Sequence, residues 1–596
     1  MPFDTAPPDT CGYESTGAPL PTKPLDTSFS CVPDRDRGVT CEDRVSLRIP
    51  VKLGPRTFLH DLSFTGARSL DEKRLAEAAA IRLGGPANTV KIEEAKRRVI
   101  ELYKEEGFYF VDVRTLLERS LDATHARVHF EINEGERVYV GQILVRGNRI
   151  TDETVIRKRI ALTVNQPFRT SDVRKTQERV ATLNVFASVT VALLNPTIPE
   201  HTKTVVVTVV ENTPQYVELR PGFSSGEGVR AVFEYGHRNL FGSATSLAFR
   251  AQISYLPDFL ISDQTIAANY AALSLAQRLA TRVSISLGLP NVGLGPVVRA
   301  GVDAVFLREV QRYFTISKGA LIPSLYFRPV RPLLFTLSAS AELNNLFVFG
   351  NKSYADAVQQ SGNNLDVQRL LRVPDGQSYV VSQRLTMAWD RRDSSFNAHS
   401  GTYLLLGIEH VDSFPIANLQ PVDEGHFLRL SQTFSGYVPV TTKIGLALTV
   451  RLGEIAQLVP TSSTYPDRSF FMGGFDSMRS YQQESMIPQD AVDQIEAGKI
   501  KVENVAVRGG NLLVNPRAEL RIPIAGPFET VIFFDSGNLW QNATYPFEHG
   551  ITMRAAAGSG IRIQTPVGPL ALDYGFNLTK KAYEDIGALN FAIGLF

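Results

Sequence analysis

Ser246-Leu-Ala-Phe-Arg-Ala-Gln-Ile-Ser-Tyr255 is the stretch on which the architecture turns. Leu247, Phe249, Ala251, Ile253 and Tyr255 fall on one face of an extended chain, and Ser246, Ala248, Arg250, Gln252 and Ser254 fall on the other. A period of two is the signature of a strand with two different surroundings. The pattern returns where Leu385, Met387 and Trp389 oppose Arg384, Thr386, Ala388 and Asp390, and again where Leu572, Tyr574, Phe576 and Leu578 oppose Asp573 and Asn577. From about Tyr216 to the end no helical period is visible. A soluble β-sandwich also alternates, but about 380 residues without a helical segment, joined by polar loops of very unequal length, favour a membrane barrel. Strands cross a bilayer only when the sheet closes on itself, because hydrocarbon leaves an open edge without partners. A charge on the lipid face costs roughly 2–4 kcal/mol at mid-bilayer, so the apolar faces are assigned to lipid and the polar faces to the lumen.

Bulk properties agree with this. The chain has 596 residues, a net charge of +1, 21% charged residues and a mean hydropathy of -0.06. That length exceeds one ordinary domain, and the charge balance gives no support for nucleic acid as a partner. No run approaches the roughly 18 apolar residues of a spanning helix. The three cysteines, Cys11, Cys31 and Cys41, all lie in the first 41 residues. Their spacing leaves both a Cys31–Cys41 disulfide and free thiols open. No metal, nucleotide or cofactor signal is visible.

The first third contains a repeat at an offset of 81 residues. Gly54 and Gly66 correspond to Gly135 and Gly147, Arg56 to Arg137, and Phe64-Thr-Gly-Ala-Arg68 to Val145-Arg-Gly-Asn-Arg149. Internal repetition is the strongest clue to architecture. Each unit reads strand-helix-helix-strand-strand. In the first, Leu62–Phe64 is a strand, Ser69 with Glu72 forms an S-x-x-E capping box, and Ile92, Ala95, Val99, Leu102 and Tyr103 share a helix face. Strands follow at Tyr109–Arg114 and Ala126–Ile132. In the second, Thr151 and Glu153 open one helix and Val173–Asn184 forms another, before strands at Val189–Leu194 and Thr204–Glu211. Both units resemble POTRA domains, periplasmic modules that bind polypeptides partly by offering a sheet edge to an extended strand.

These readings divide the chain into 1–44, proline-rich and disordered or degenerate; 45–57, the closing strand of an incomplete upstream unit; units at 58–136 and 137–213; and a barrel at 214–596. Met1-Pro-Phe-Asp-Thr shows no signal peptide, and with the lone closing strand this suggests a start that is processed, trimmed or misassigned.

Several motifs occur in order along the barrel region: Tyr235-Gly-His-Arg-Asn239-Leu-Phe-Gly242, Trp389-Asp390-Arg391-Arg392-Asp393 with Ser400-Gly401-Thr-Tyr403, Phe471-Met-Gly-Gly-Phe475, Ala518-Glu519-Leu520-Arg521 and Phe533-Phe534-Asp535-Ser536-Gly537. With the repeat, they resemble the BamA/TamA superfamily of outer-membrane POTRA-barrels, nearer TamA in size. The resemblance implies an α+β fold of POTRA domains in the periplasm followed by a 16-stranded antiparallel transmembrane β-barrel, about 24 residues per strand with its connection. It also implies a long sixth extracellular loop folded into the lumen. The tip of that loop is Arg479, Ser480 and Tyr481, with Gly473 and Gly474 before it, and Arg479 is expected to pair with Glu519 and Asp535. A guanidinium confined in a lumen needs such carboxylates. Position 480 is usually glycine in the family, so Ser480 is expected to carry a cost if its φ is positive.

The first and last strands would meet at a seam involving Tyr216, Phe223, Phe591, Gly594 and Phe596. Pro221 and Gly222 are expected to interrupt the first strand, since proline cannot donate a ladder hydrogen bond. The function implied is an insertase without nucleotide hydrolysis. It would help unfolded β-barrel clients, autotransporters among them, enter the outer-membrane bilayer, with room for a lipoprotein or periplasm-spanning partner. The alternative is a two-partner-secretion transporter, whose relatives carry a plug helix not visible here. Gly222-Phe-Ser224-Ser-Gly226 matches G-x-S-x-G, but a nucleophile elbow requires a helix after the serine, and Gly228–Tyr235 alternates as a strand.

Overall fold

The computed structural model describes residues 56–593 apart from 262–263, 312–313, 349–369, 371–375, 396, 417–423, 442, 503–504, 506 and 566–567. The expectations for 1–44, for nearly all of 45–57, for the three cysteines and for Gly594 and Phe596 lie outside the described residues.

The first unit runs strand Phe58–Thr65, helices Glu72–Ala79 and Thr89–Glu105, then strands Asp112–Arg119 and His125–Asn133. The last strand lies in the middle of the sheet, parallel to the first and antiparallel to the second. The longer helix buries Ile92, Ala95, Val99 and Tyr103, and Asn88 caps it by accepting from the amides of Val90 and Lys91. The second unit repeats the arrangement with strands Tyr139–Arg146, Phe186–Leu193 and Thr202–Glu211 and helices Glu153–Arg157 and Thr170–Ala181. Two repeated glycines have one steric cause. Gly66 and Gly147 both take positive φ, and a Cβ on either would sit 2.0 Å from a carbonyl oxygen of the central strand, that of Ile132 or Val209.

Ser69 does not form the expected capping box. The helix begins after Asp71 without a side-chain cap and ends at Ala79. The amide and hydroxyl of Ser69 both donate to Glu134, each at 2.8 Å. A carboxylate from the end of the central strand meets the donors that a cap would have met. Glu211 does the same in the second unit, accepting from the amides of Arg149, Ile150 and Thr151 at 3.1, 3.0 and 2.7 Å. Burial pushes both carboxyls up, and these hydrogen bonds pull them further down, so both stay below the usual glutamate value.

Sixteen strands, from Gln215–Ser224 to Gly587–Ile593, close an antiparallel barrel. The faces fall as the alternation requires: Phe249 and Ile253 are exposed on the outside, while Arg250 turns inward to Glu234 at 2.7 Å. Likewise Leu385 is exposed, and Arg384 reaches the buried Glu409 at 2.5 Å. Helical segments do occur after Tyr216, contrary to expectation; among the described residues they lie in connections, as at Gln264–Ala271, Leu275–Arg278, Gln489–Glu496 and Tyr545–His549. Pro221 does not interrupt the first strand. It sits opposite Ala231 within a continuous ladder to the second strand. Ser224 is followed by a turn and the strand Gly228–Leu240, so no helix follows the G-x-S-x-G serine.

The second unit is keyed into the barrel's periplasmic turns. Ala244, in the turn between the second and third barrel strands, joins that unit's hydrophobic core. Asn239 donates to Thr151 at 2.9 Å, and the Asp152 amide donates to the carbonyl of Gly242 at 2.9 Å. The buried Arg159 donates to the carbonyls of Pro290 and Pro296 in the next turn.

Candidate functional site

The connection 458–511, between strands Gly445–Gln457 and Leu512–Ala525, is the sixth on the extracellular side, and it folds back into the lumen. Two glycines make its descent tight: Gly473 and Gly474 have φ of +116° and +92°, and a Cβ on Gly473 would lie 2.1 Å from the Gln482 carbonyl oxygen. At the tip, Arg479 is 2% exposed. Its Nε and Nη2 donate to the two oxygens of Asp535 at 2.8 and 2.7 Å, while Nη1 donates to Glu519 at 2.7 Å and to Asp573 at 3.1 Å. The guanidinium carbon lies 3.5 Å from the centre of the Phe533 ring, a cation–π contact. Glu519 is shared with Arg521 and Arg562, at 2.8 and 2.7 Å. A buried charge is tolerated when it is paired and hydrogen-bonded, and each charge here is.

The backbone of the tip presses on the wall. A Cβ on Gly575 would lie 2.6 Å from the carbonyl carbon of Arg479, and that carbonyl accepts from Asn590 at 2.8 Å. Tyr481 receives Asn577 at 2.9 Å and donates to Glu584 at 3.0 Å, which also holds Arg554. Ser480 is not among the residues with positive φ, so the expected conformational cost does not arise. Its hydroxyl is instead buried without a hydrogen-bond partner. Asp573 was read from sequence as lumenal but not as a partner of Arg479, because only closure brings its strand beneath the tip.

A second ionic cluster, not anticipated from sequence, holds the root of the same loop to the opposite wall. Arg468 donates to Glu342 at 2.5 Å and to Glu409 at 2.8 Å. Lys318 bridges Glu342 and Asp467 at 3.0 and 3.1 Å. These residues come from strands Phe314–Val330, Leu333–Val348 and Gly401–Pro415, and no local motif joins them.

At the seam, the register among the described residues covers two pairs, Phe223 with Ile593 and Ser224 with Ala592. The preceding pair of strands, Gly568–Asn577 with Gly587–Ile593, has seven. The Ser225 amide donates to the Phe591 carbonyl at 2.8 Å, and the Phe223 and Phe591 rings lie 5.8 Å apart. Tyr216 is not part of this contact: it points into the lumen and donates to Glu234 at 2.9 Å.

Comparison with known proteins places these features in a family. An Omp85 superfamily domain matches residues 239–596, and the POTRA repeat model, described as a surface antigen variable number repeat, matches 58–135 and 138–212. The outer membrane protein assembly factor BamA of Neisseria meningitidis is 24% identical over 78% of this chain and 57% of its own length. BamA of Nitratidesulfovibrio vulgaris is 21% identical over 93% of this chain and 64% of its own. The chain thus spans roughly 60% of the length of these curated relatives. The crystal structure of BamA from Haemophilus ducreyi lacking POTRA domains 1–3 shares the fold, with a TM-score of 0.63 at 16% identity over 91% of this chain and 99% of that one. A closed sixteen-stranded barrel behind two POTRA repeats, matched by the family model over more than half its length, makes this chain a member of the Omp85 superfamily, an outer-membrane β-barrel with periplasmic POTRA domains.

Proposed function

We propose that this protein assists the folding and insertion of β-barrel proteins into the outer membrane. The observation that supports the reading is the kind of contact at the seam: among the described residues the first and last strands meet through backbone groups at Phe223–Ile593 and Ser224–Ala592, and an incoming client strand carries the same groups. In this reading 58–136 and 137–213 receive clients or partners, and 214–596 forms the membrane-embedded barrel. Arg479 with Glu519, Asp535 and Asp573 keeps loop six in place while the seam works. The names of the BamA relatives support the activity, and no step in it requires nucleotide chemistry. Depletion followed by quantitative proteomics of the outer membrane tests it. Other outer-membrane barrels should fall while lipoproteins persist; loss of a single secreted protein with barrels unchanged would favour a secretion transporter.

A further inference from the structure

Directly across the strand ladder from Asp535 stands Arg517. In an ordinary sheet these two would pair, since opposite charges facing each other across strands attract. They do not pair here, because both oxygens of Asp535 are taken by Arg479 from the loop. What Arg517 retains is one long contact, 3.5 Å from Nη1 to the carbonyl of Phe475, and its Nε is buried without any partner. Its neighbour Arg451 likewise reaches only a backbone carbonyl, that of Asp476, at 2.8 Å. Among the described residues neither guanidinium has a carboxylate, in a lumen where Arg479, Arg521 and Arg562 all do. Arg517 lines a cavity of about 270 Å³ under the tip of loop six, on the periplasmic side of the barrel, where Arg392, Arg479, Arg521 and Arg562 outnumber the carboxylates of Asp476 and Glu519 and the rings of Phe475, Tyr403 and Tyr437 complete the wall.

We propose that this cavity is a binding site for a carboxylate of an extended polypeptide, a chain end or an acidic side chain, with Arg517 as the recognising group. The planar guanidinium fork matches a carboxylate bidentately. The cavity has room for a single residue and not for a folded domain, and the surrounding aromatic rings suit the apolar part of such a residue. The site is coupled to the latch. While Arg479 holds Asp535, Arg517 is free for a ligand; once the tip withdraws, Asp535 becomes available to Arg517. An anion on Arg517 therefore favours the latched loop, and by reciprocity a latched loop favours the anion. The proposal rests on the assembly reading only in that a polypeptide enters the lumen from the periplasm.

The test uses the full chain in detergent with a labelled, extended, phenylalanine-ended peptide carrying either a free carboxylate or an amide at its C-terminus. Binding is followed by fluorescence anisotropy, and protease resistance of loop six is measured with and without peptide. The acid should bind at least fivefold more tightly than the amide and slow cleavage of loop six. Arg517→Gln should erase both differences, and Arg517→Lys should restore part of them, with barrel folding verified by heat-modifiable gel mobility. Equal binding of acid and amide, or an unchanged preference in Arg517→Gln, overturns the proposal. So does displacement of the peptide by inorganic phosphate at equal concentration, since the site would then be a general oxyanion site. Because the assay needs no client assembly, its failure leaves the depletion result to stand or fall separately.

Discussion

The barrel is fastened in two places, and the fastenings are of opposite kinds. At the seam, the last strand meets the first through backbone hydrogen bonds, over two register pairs among the described residues, and through an aromatic contact. Across the lumen, loop six ties its tip to the last staves through Arg479 and its root to the middle staves through Arg468. The first fastening is made of exchangeable groups that any incoming strand also carries. The second depends on particular side chains, buried and paired with opposite charges, that no client supplies. Specific side chains thus hold the parts whose shape must persist, and backbone groups common to every strand are left where a partner could be exchanged.

The contrast can be broken by experiment. The largest effect is expected from locking the seam. Phe223→Cys with Ile593→Cys places two thiols at register partners, within reach of a disulfide. Oxidation should abolish barrel assembly and reduction should restore it; full activity while crosslinked would mean that the seam stays shut in function. Next is Arg479→Ala, which strands buried carboxylates and should cost about 3–5 kcal/mol. The readout is loss of protease resistance in loop six and a lower unfolding temperature of the barrel, while the POTRA melting transition stays unchanged. A smaller and pH-confined effect belongs to the POTRA modules. The lowered value of the Glu134 carboxyl contributes stability above its ordinary value of about 4.3, and that contribution is lost as pH falls through the folded value. Glu134→Gln should flatten this part of the acid unfolding curve and leave the latch intact, and a curve that still tracks the wild type would refute the assignment. The smallest effect is a gain: Ser480→Ala removes a buried, unpartnered hydroxyl and should stabilise the tip by about 1 kcal/mol, seen as slower cleavage of loop six.

The legible part of the sequence was whatever has a period or a local partner. Phe249 and Ile253 alternate with Arg250 because lipid and lumen demand it, so the barrel could be read from ten residues. The pairing of Arg479 with Glu519 and Asp535 came with the family resemblance, and the three side chains meet in this structure. The remainder lay beyond local pattern. Ser69 and Glu72 spelled a cap, but Glu134, 65 residues further on, competes for the same donors and takes them. The cluster at Arg468 draws acids from two separate strands, and the solitude of Arg517 follows only from knowing that its facing carboxylate is engaged elsewhere. Pro221 looked like a break because proline cannot donate to a ladder, but the register on either side of it, Arg220 with Val232 and Gly222 with Arg230, runs on unshifted.

The keyed joint between the second POTRA module and the barrel has a mechanical corollary. The core of that module, Asp152 and Arg159 grip the two turns that link the second strand to the third and the fourth to the fifth, at Ala244, Gly242, Pro290 and Pro296, the hairpins nearest the first stave. A tug on the periplasmic arm is delivered first to those turns, on the side of the seam away from the staves that Arg479 braces. For the seam opening that the proposed function requires, the arm is the handle of a lever whose short end is the flank of that seam.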